Sequence, residues 1–529
     1  MRVLQRGDSL RIVVRDVGAL QVLLSSAMLA ALVVALGYRE WYSALGFLLA
    51  ATTSAGAGYA AYRLCRACGE PRSYHAMVIA GAGWLVGALF GALPFVIIAF
   101  ITPDDVAQAF VPAGETYRSS LENFRNPLHA VFESMSCYTT TSLTMAVHEP
   151  SIGKGLLFYR SLTTWLGGAG MIILALAILP RPGAAGGMHL YSSESSQGKV
   201  RPSIVGTARA IWKAYVGATL AMVALLAVAT FVFAPEHGVE ATIFDSVNHA
   251  MAGLGTGGVS TLDDGIAGFR SYVLEMVHVV PMLVGTISLP VLYLAARDRD
   301  PHVLWRDAQF RAMVAVLAIG TPLLCLNLWG DPAVNDPIRE GVFQFASAVS
   351  TTGWQTSNIG GWRDPGILIV VWGAMFTGGA AGATVGGIKL IRSYIMLRAA
   401  AWRIKRVFLP SEAVVPFKIG ERTIPSQDIQ REVADAAVFT FLFMVVLAVA
   451  MLITSHFVGP QFTLADVLFE TMSVQSTTGL STGITDPNMH PAVEVTFILQ
   501  MWIGRLEIFP VIILVRALLV WQRLPERRI

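Results

Sequence analysis

The sequence predicts an all-α polytopic membrane protein: two leading spans, then four repeats of span, pore helix, filter loop and span around a pseudo-fourfold pore. Three observations carry this expectation. The chain of 529 residues is 54% hydrophobic and only 14% charged, with a mean hydropathy of +0.59, whereas soluble proteins average about 25% charged residues. Its apolar residues fall in continuous runs of roughly 20, long enough to cross a bilayer as helices and unlike the alternation of a β-barrel. Finally, four uncharged stretches rich in Ser, Thr and Gly recur between such runs: Ser136–Thr144 (SCYTTTSLT), Ala252–Thr261 (AGLGTGGVST), Ser347–Thr356 (SAVSTTGWQT) and Ser473–Gly483 (SVQSTTGLSTG). Their equivalent last positions, Ser142, Gly258, Gly353 and Gly479, are spaced 116, 95 and 126 residues apart. Repetition on this scale dictates the architecture.

The N-terminal stretch MRVLQRGDSLRIVVRD has scattered charges and no small-residue cleavage site after a short core, so the first span is expected to be retained. The leading region, 1–75, holds spans near 17–37 and 41–63. Repeat 1, 76–200, has spans near 76–101 and 155–180, with a re-entrant helix over Pro127–Tyr138 and a GGAG at Gly167–Gly170. Repeat 2, 201–305, has spans near 205–234 and 269–296; repeat 3, 306–432, near 311–330 and 366–390; repeat 4, 433–529, near 434–456 and 493–522. That makes ten spans. Four cysteines give no disulfide framework: Cys65 and Cys68 read as free cytosolic thiols, Cys137 and Cys325 as packing residues.

Charge sets the orientation. Loops on the side of the four repeats hold roughly 6 Lys/Arg and 19 Asp/Glu, and the opposite side roughly 28 of the 38 Lys/Arg. The positive-inside bias places the second side, with both termini, in the cytoplasm. The acidic side then faces out, where it raises the local cation concentration; plain solvation of acidic loops is the alternative.

The candidate filter residues are Thr139, Thr140, Thr141 and Ser142; Gly255, Thr256, Gly257 and Gly258; Ser350, Thr351, Thr352 and Gly353; Ser476, Thr477, Thr478 and Gly479. Small residues let backbone carbonyls replace the water around a monovalent cation, and the terminal glycines permit angles that other residues resist. The short helices would aim their C-terminal ends at the same point. These loops carry no carboxylate cage of the kind a divalent ion requires. Glu133 and Glu470 occupy equivalent places in two of the short helices, for capping and packing or for ion binding. Five glycines within Thr377–Lys389 (TGGAAGATVGGIK) make poor helix, and irregular backbone at membrane depth must be buried or line water. This stretch reads as a gate, with Gly378, Gly379, Gly382, Gly386 and Gly387 supplying freedom and Lys389 and Arg392 an anchor; close helix packing is the alternative. Arg505 and Glu507 lie inside the last span, where ionisable groups face an interior or a pore. Arg505 either sits under the filter or joins a structural ion pair. The loop Ala399–Glu432, with Arg403, Lys405, Arg406, Lys418 and Arg422, binds a partner or anionic lipid, or simply sets topology. The sequence has no P-loop, phosphorylated-Asp motif or His–carboxylate cluster, so no enzyme is expected.

Two leading spans, four matched units, the TTTS, GTGG, STTG and STTG loops, GGAAGATVGGIKLIR and GRLEIF together resemble the Trk/Ktr/HKT superfamily of potassium transporters, nearest to the bacterial TrkH type, over nearly the whole chain. The resemblance implies potassium uptake across the bacterial inner membrane through a gated, channel-like pore. It also implies a homodimer with one pore per subunit and a cytosolic TrkA-type ring that binds NAD or ATP. No organic cofactor on this chain and no nucleic acid are expected; membrane lipid is. By the same resemblance, Gly378–Gly387 matches the family's gate and Arg505 its basic residue beneath the filter. Ser142 departs from the family's glycine. Serine at that place among plant members goes with sodium permeation, so sodium or mixed transport is the alternative cargo. The ion-translocating subunit of a potassium-pumping ATPase is a further alternative.

Overall fold

The computed structural model describes residues 6–170, 204–410, 415–419 and 422–523. Helices α1 (Arg6–Gly37) and α2 (Trp41–Leu64) form the leading hairpin. They touch through glycine: a Cβ on Gly18 would lie 2.6 Å from the Gly58 carbonyl, and one on Gly58 2.7 Å from that of Gly18. Such contact is how helices associate where water supplies no driving force.

Unit 1 comprises α3 (Ser73–Gly91) and its continuation α4 (Leu93–Ile101), pore helix α5 (Pro127–Tyr138) and α6 (Lys154–Ala169). Unit 2 comprises α7 (Ile204–Phe233), pore helix α8 (Val239–Leu254), α9 (Tyr272–Gly285) and α10 (Leu289–Asp298). Unit 3 holds α11 (Ala308–Leu328), pore helix α12 (Pro337–Val349), α13 (Pro365–Thr377) and α14 (Leu390–Val407). Unit 4 holds α15 (Ser426–Phe457), pore helix α16 (Leu464–Gln475), α17 (Pro491–Arg505) and α18 (Phe509–Arg523). Three pore helices start at side-chain caps that the sequence spells out. Asn126 precedes Pro127 and accepts from Leu128 N–H; Asp336 precedes Pro337 and accepts from Ile338 and Arg339; Thr463 and Asp466 form a reciprocal capping box. Proline at the first helical position forfeits no hydrogen bond, and the caps satisfy donors that the helices cannot satisfy internally.

Among the described residues six helices are long and apolar enough to cross a bilayer, or eight if each bent pair is one span. The expected second spans are therefore corrected. None of them runs straight. The span expected over 155–180 stops as helix at Ala169, with Gly170 at φ 92°; 171–180, like the basic loop that follows, lies outside the described residues. The second bends by 99° between α9 and α10, the third stops at Thr377, and the fourth bends by 111° between α17 and α18. The long basic loop also differs from expectation. Helix α14 carries on to Val407, and a hairpin of β1 (Phe417–Ile419) and β2 (Arg422–Ile424) follows. Phe417 and Ile424 bury themselves against Ala399 and Ile429, which explains why apolar residues interrupt an otherwise charged stretch.

The leading hairpin is tied to unit 1 by one carboxylate. Glu40, in the turn before α2, accepts from the N–H groups of Lys154 (2.5 Å) and Gly155 (3.0 Å) at the start of α6. Glu40→Ala strands both donors, so we expect a loss of about 1–3 kcal/mol, read as a lower thermal unfolding midpoint in detergent, with Glu40→Gln falling between it and the parent.

Candidate ion-conducting site

Each pore helix ends in the same way, and that ending is the filter loop. The first loop residue caps the helix in right-handed geometry, as Thr139 (φ −80°) and Ser476 (φ −79°) do. The second turns left-handed: Thr140 at φ 61°, Thr256 at 51°, Thr351 at 49° and Thr477 at 52°. Its N–H donates to the carbonyl three residues back, at 3.1 Å in every copy. The third residue's N–H donates five residues back, Thr141 to Ser136 (2.9 Å), Gly257 to Ala252 (2.9 Å), Thr352 to Ser347 (3.0 Å) and Thr478 to Ser473 (2.8 Å). This is a Schellman cap with threonine where glycine is usual. Because a trans peptide holds N–H and C=O on opposite sides, donors turned back into the helix leave the carbonyls of those peptide units pointing away from it.

The loops close a circle in chain order. A Cβ on Gly258 would lie 2.6 Å from Thr352 O, one on Gly353 2.0 Å from Thr478 O, and one on Gly479 1.9 Å from Thr141 O; Ser142 Oγ lies 3.0 Å from the Cβ position of Gly257. Loop 2 thus meets loop 3, loop 3 meets loop 4, loop 4 meets loop 1, and loop 1 meets loop 2. The expectation that the fourth residue needs glycine's angles holds at Gly353 (φ 87°) and Gly479 (φ 92°), and Ser142 adopts the same region at 64°. Gly258 does not; it is glycine because its neighbour leaves no room. Ser142 keeps a side chain where glycine is expected, and it does so beside the one loop whose third residue has none.

Loop 2 differs for a packing reason. In the other copies the first and third side chains hydrogen-bond to each other: Thr139 with Thr141 (2.9 Å), Ser350 with Thr352 (2.7 Å) and Ser476 with Thr478 (2.7 Å). Gly255 and Gly257 lack both hydroxyls because α6 lies flush against them. A Cβ on Gly168 would reach Gly255 Cα at 2.8 Å, and one on Gly257 would reach Thr164 Cγ2 at 2.3 Å. Neighbouring glycines seat the second spans under the pore helices: Gly167 at Tyr138 O (1.9 Å from its Cβ position), Gly285 at Leu254 O (2.7 Å) and Gly504 at Gln475 O (2.0 Å).

Four buried polar side chains brace the outer limbs. Glu133 accepts from Met145 N–H (2.8 Å) and Thr144 Oγ1 (3.0 Å) and pairs with buried Arg160 (2.7 Å). Glu470 accepts from Thr482 N–H (2.7 Å), Ser481 Oγ (2.8 Å) and Thr485 Oγ1 (2.6 Å). His249 Nε2 faces Ser260 Oγ (3.3 Å) and Thr261 Oγ1 (3.2 Å), and the Gln344 amide oxygen accepts from Thr356 N–H (2.7 Å). All four lie nine residues before the fourth filter position. The sequence reading found the two glutamates and missed His249 and Gln344; the shared spacing was the available signal, hidden by unlike residue types. Of the alternatives for the glutamates, packing describes what they do here.

Below the ring, segment Gly378–Lys389 folds back into the structure. Its base is stitched by Ile388 N–H to Phe376 O (3.2 Å) and Leu390 N–H to Gly379 O (2.9 Å). The left-handed threonines meet three residues between them: Arg505, Thr384 and Gly386. Thr140 Oγ1 accepts from Arg505 (3.2 Å), Thr256 Oγ1 donates to Thr384 Oγ1 (3.0 Å), and Thr351 Oγ1 accepts from Gly386 N–H (3.0 Å). Thr477 Oγ1 lies 2.2 Å from where a Cβ on Gly386 would be. Arg505 also donates to the carbonyls of Gly167 (2.6 Å), Gly168 (2.9 Å) and Thr384. The acidic residue of that break is the one in the ion pairs: Glu507 binds Lys389 Nζ (2.6 Å) and Arg392.

On the other face, the fourth loop residues open into a mouth of about 460 Å³ lined by Glu149, Asp263 and Asp264. Burial pushes the Glu149 carboxyl up to about 8, against the opposing pull of Arg160. Replacing Glu470 by alanine leaves several donors of the fourth loop unsatisfied. We expect about 1–3 kcal/mol of lost stability per stranded group and loss of cation uptake, measured by thermal unfolding and by flux into proteoliposomes.

A family model described as a cation transport protein, TrkH, matches residues 104–523. The chain is 29% identical over 522 residues to the Trk system potassium uptake protein TrkH of Halomonas elongata, covering 96% of this chain and 98% of that one. It is 31% identical over 529 residues to the protein of the same name from Vibrio parahaemolyticus, covering 95% and 98%. An uncharacterized cation transporter of Methanocaldococcus jannaschii is 27% identical over 445 residues, covering 84% and 83%. The crystal structure of the potassium transporter TrkH from Vibrio parahaemolyticus matches with a TM-score of 0.77 at 27% identity, covering 96% of this chain and 98% of that one. Agreement that runs from the outer loop of unit 1 through the last helix, in sequence and in fold, makes this chain a member of the TrkH family of cation transport proteins.

Proposed function

We propose that this chain carries potassium into the cell through the ring of four filter loops, and that the segment Gly378–Lys389 together with Arg505 gates it. The closed circle of Schellman caps carries the reading. It aims four helix C-terminal ends, each with the partial negative charge of the helix dipole, at one axis lined with backbone carbonyls. A dehydrated monovalent cation is the ligand such a ring suits. The relatives' names, which specify potassium uptake, support the same cargo.

The membrane is the bacterial inner membrane, with both termini cytoplasmic as the basic bias of the opposite side requires. The chain works as a homodimer with a TrkA-type nucleotide-binding ring; the relatives' designation as parts of a Trk system supports a partner. The basic helix α14, which leads directly out of the gate segment and is exposed along most of its last two turns, gives a partner mechanical access to it. Sodium is the second reading. One observation favours it: Ser142 holds a left-handed backbone angle that costs a non-glycine residue about 1–2 kcal/mol, and its buried hydroxyl has no hydrogen-bond partner.

The test is uptake of potassium, rubidium and sodium into proteoliposomes, with Ser142→Gly beside the parent. Potassium and rubidium should enter, sodium should be largely excluded, and the glycine variant should keep that preference. Equal sodium entry by the parent, with preference restored by glycine, would replace potassium with the second reading.

A further inference from the structure

Thr384 lies within the gate segment, and its surroundings differ from those of the glycines beside it. The side chain is fully buried. Its hydroxyl donates to the carbonyls of Leu254 (3.1 Å) and Gly285 (3.0 Å) and accepts from Thr256 Oγ1 (3.0 Å). Its own carbonyl accepts from Arg505. One residue therefore joins the gate segment of unit 3 to the pore-helix end of unit 2, to the break between α9 and α10, to the left-handed threonine of the second filter loop, and to the cation of unit 4. Leu254 and Gly285 are the last residues of their helices, so both carbonyls lack an intrahelical donor. Thr384 supplies one.

We propose that Thr384 is the positioning residue that holds the gate shut, by occupying the stranded carbonyls and threonine hydroxyl of unit 2. This rests on the reading of the ring as a cation pore. The energetic argument is differential. With the segment seated, the Leu254 carbonyl and the Thr256 hydroxyl are met by the Thr384 hydroxyl, and the Gly285 carbonyl by that hydroxyl and by the Thr384 N–H (3.4 Å), in a fully buried setting. With the segment withdrawn, they line a wet cavity and hydrate. Removing the hydroxyl therefore penalises the closed state and leaves the open one nearly unchanged, and only a difference between states shifts a population. In loops 1, 3 and 4 the first residue is Thr139, Ser350 or Ser476, with a hydroxyl that bonds its own helix, whereas Gly255 offers none, so the hydroxyl that reaches the end of the second pore helix is that of Thr384.

The experiment measures basal rubidium uptake by the full chain in proteoliposomes without a partner. Thr384→Val keeps the shape and removes the hydroxyl, Thr384→Ala removes it without a branched side chain, and Thr384→Ser keeps it. Gly386→Ala serves as a control that obstructs seating by sterics alone, since its Cβ would lie 2.1 Å from Ser476 O. Valine and alanine should raise basal uptake about tenfold, the equivalent of about 1.4 kcal/mol, with serine near the parent. If Gly386→Ala raises uptake and neither hydroxyl-free variant does, Thr384 is not the latch, although the pore and its gate stand. If Gly386→Ala also leaves uptake unchanged, the segment does not occlude the pore, and both readings fall together.

Discussion

The constraint on which this protein depends is the left-handed threonine after each pore helix. A helix that dives halfway into a membrane must stop, satisfy its last carbonyls and return, with no water to help. The Schellman turn does all three, and it demands a positive φ at Thr140, Thr256, Thr351 and Thr477. A β-branched residue resists that angle, at about 1–2 kcal/mol each. Such strain persists only where the surroundings over-determine it. Here they do: the pore helix accepts two N–H groups from below, the braces at Glu133, His249, Gln344 and Glu470 hold the limb above, and glycines of the second spans close the side.

Electrostatics then divides the axis. Above the ring, aspartates at the mouth favour cations. At the ring, helix ends and carbonyls favour them again. Immediately below stands Arg505, held by the carbonyls of Gly167, Gly168 and Thr384. The carboxylate that could have neutralised it, Glu507, is turned away by two successive left-handed residues, Glu507 (φ 57°) and Ile508 (φ 68°), and engages Lys389 and Arg392 instead. The break in the last span is thus what separates the two charges.

The fourfold pattern is also deliberately unequal. Each second span is interrupted, but each interruption does something different. Unit 1 presents carbonyls to Arg505, unit 2 presents carbonyls to Thr384, unit 3 supplies the segment Gly378–Lys389, and unit 4 supplies Arg505 and the acid that ties that segment's far end. Loop 2, with neither hydroxyl of the usual pair, is the loop whose glycines Gly255 and Gly257 make room for α6. The serine at position 142 is accommodated in the same neighbourhood, beside Gly257.

Hydropathy and repetition determined the class of the molecule, and the four matched loops marked where each short helix ends in a Schellman turn. These are local or periodic signals, and a stretch such as Thr377–Lys389 announces irregular backbone through glycine content alone. What only the tertiary structure decided depends on contacts between distant segments. Left-handed geometry fell on threonine, which carries no sequence signature for it. Gly258 proved to be glycine for lack of space, because Thr352 of another unit stands against it. His249 and Gln344 shared a role with two glutamates through their position, which residue type concealed. Arg505 and Glu507, two residues apart, parted to opposite partners because a helix break lay between them, and no pattern along the chain encodes the partner that lies more than a hundred residues away.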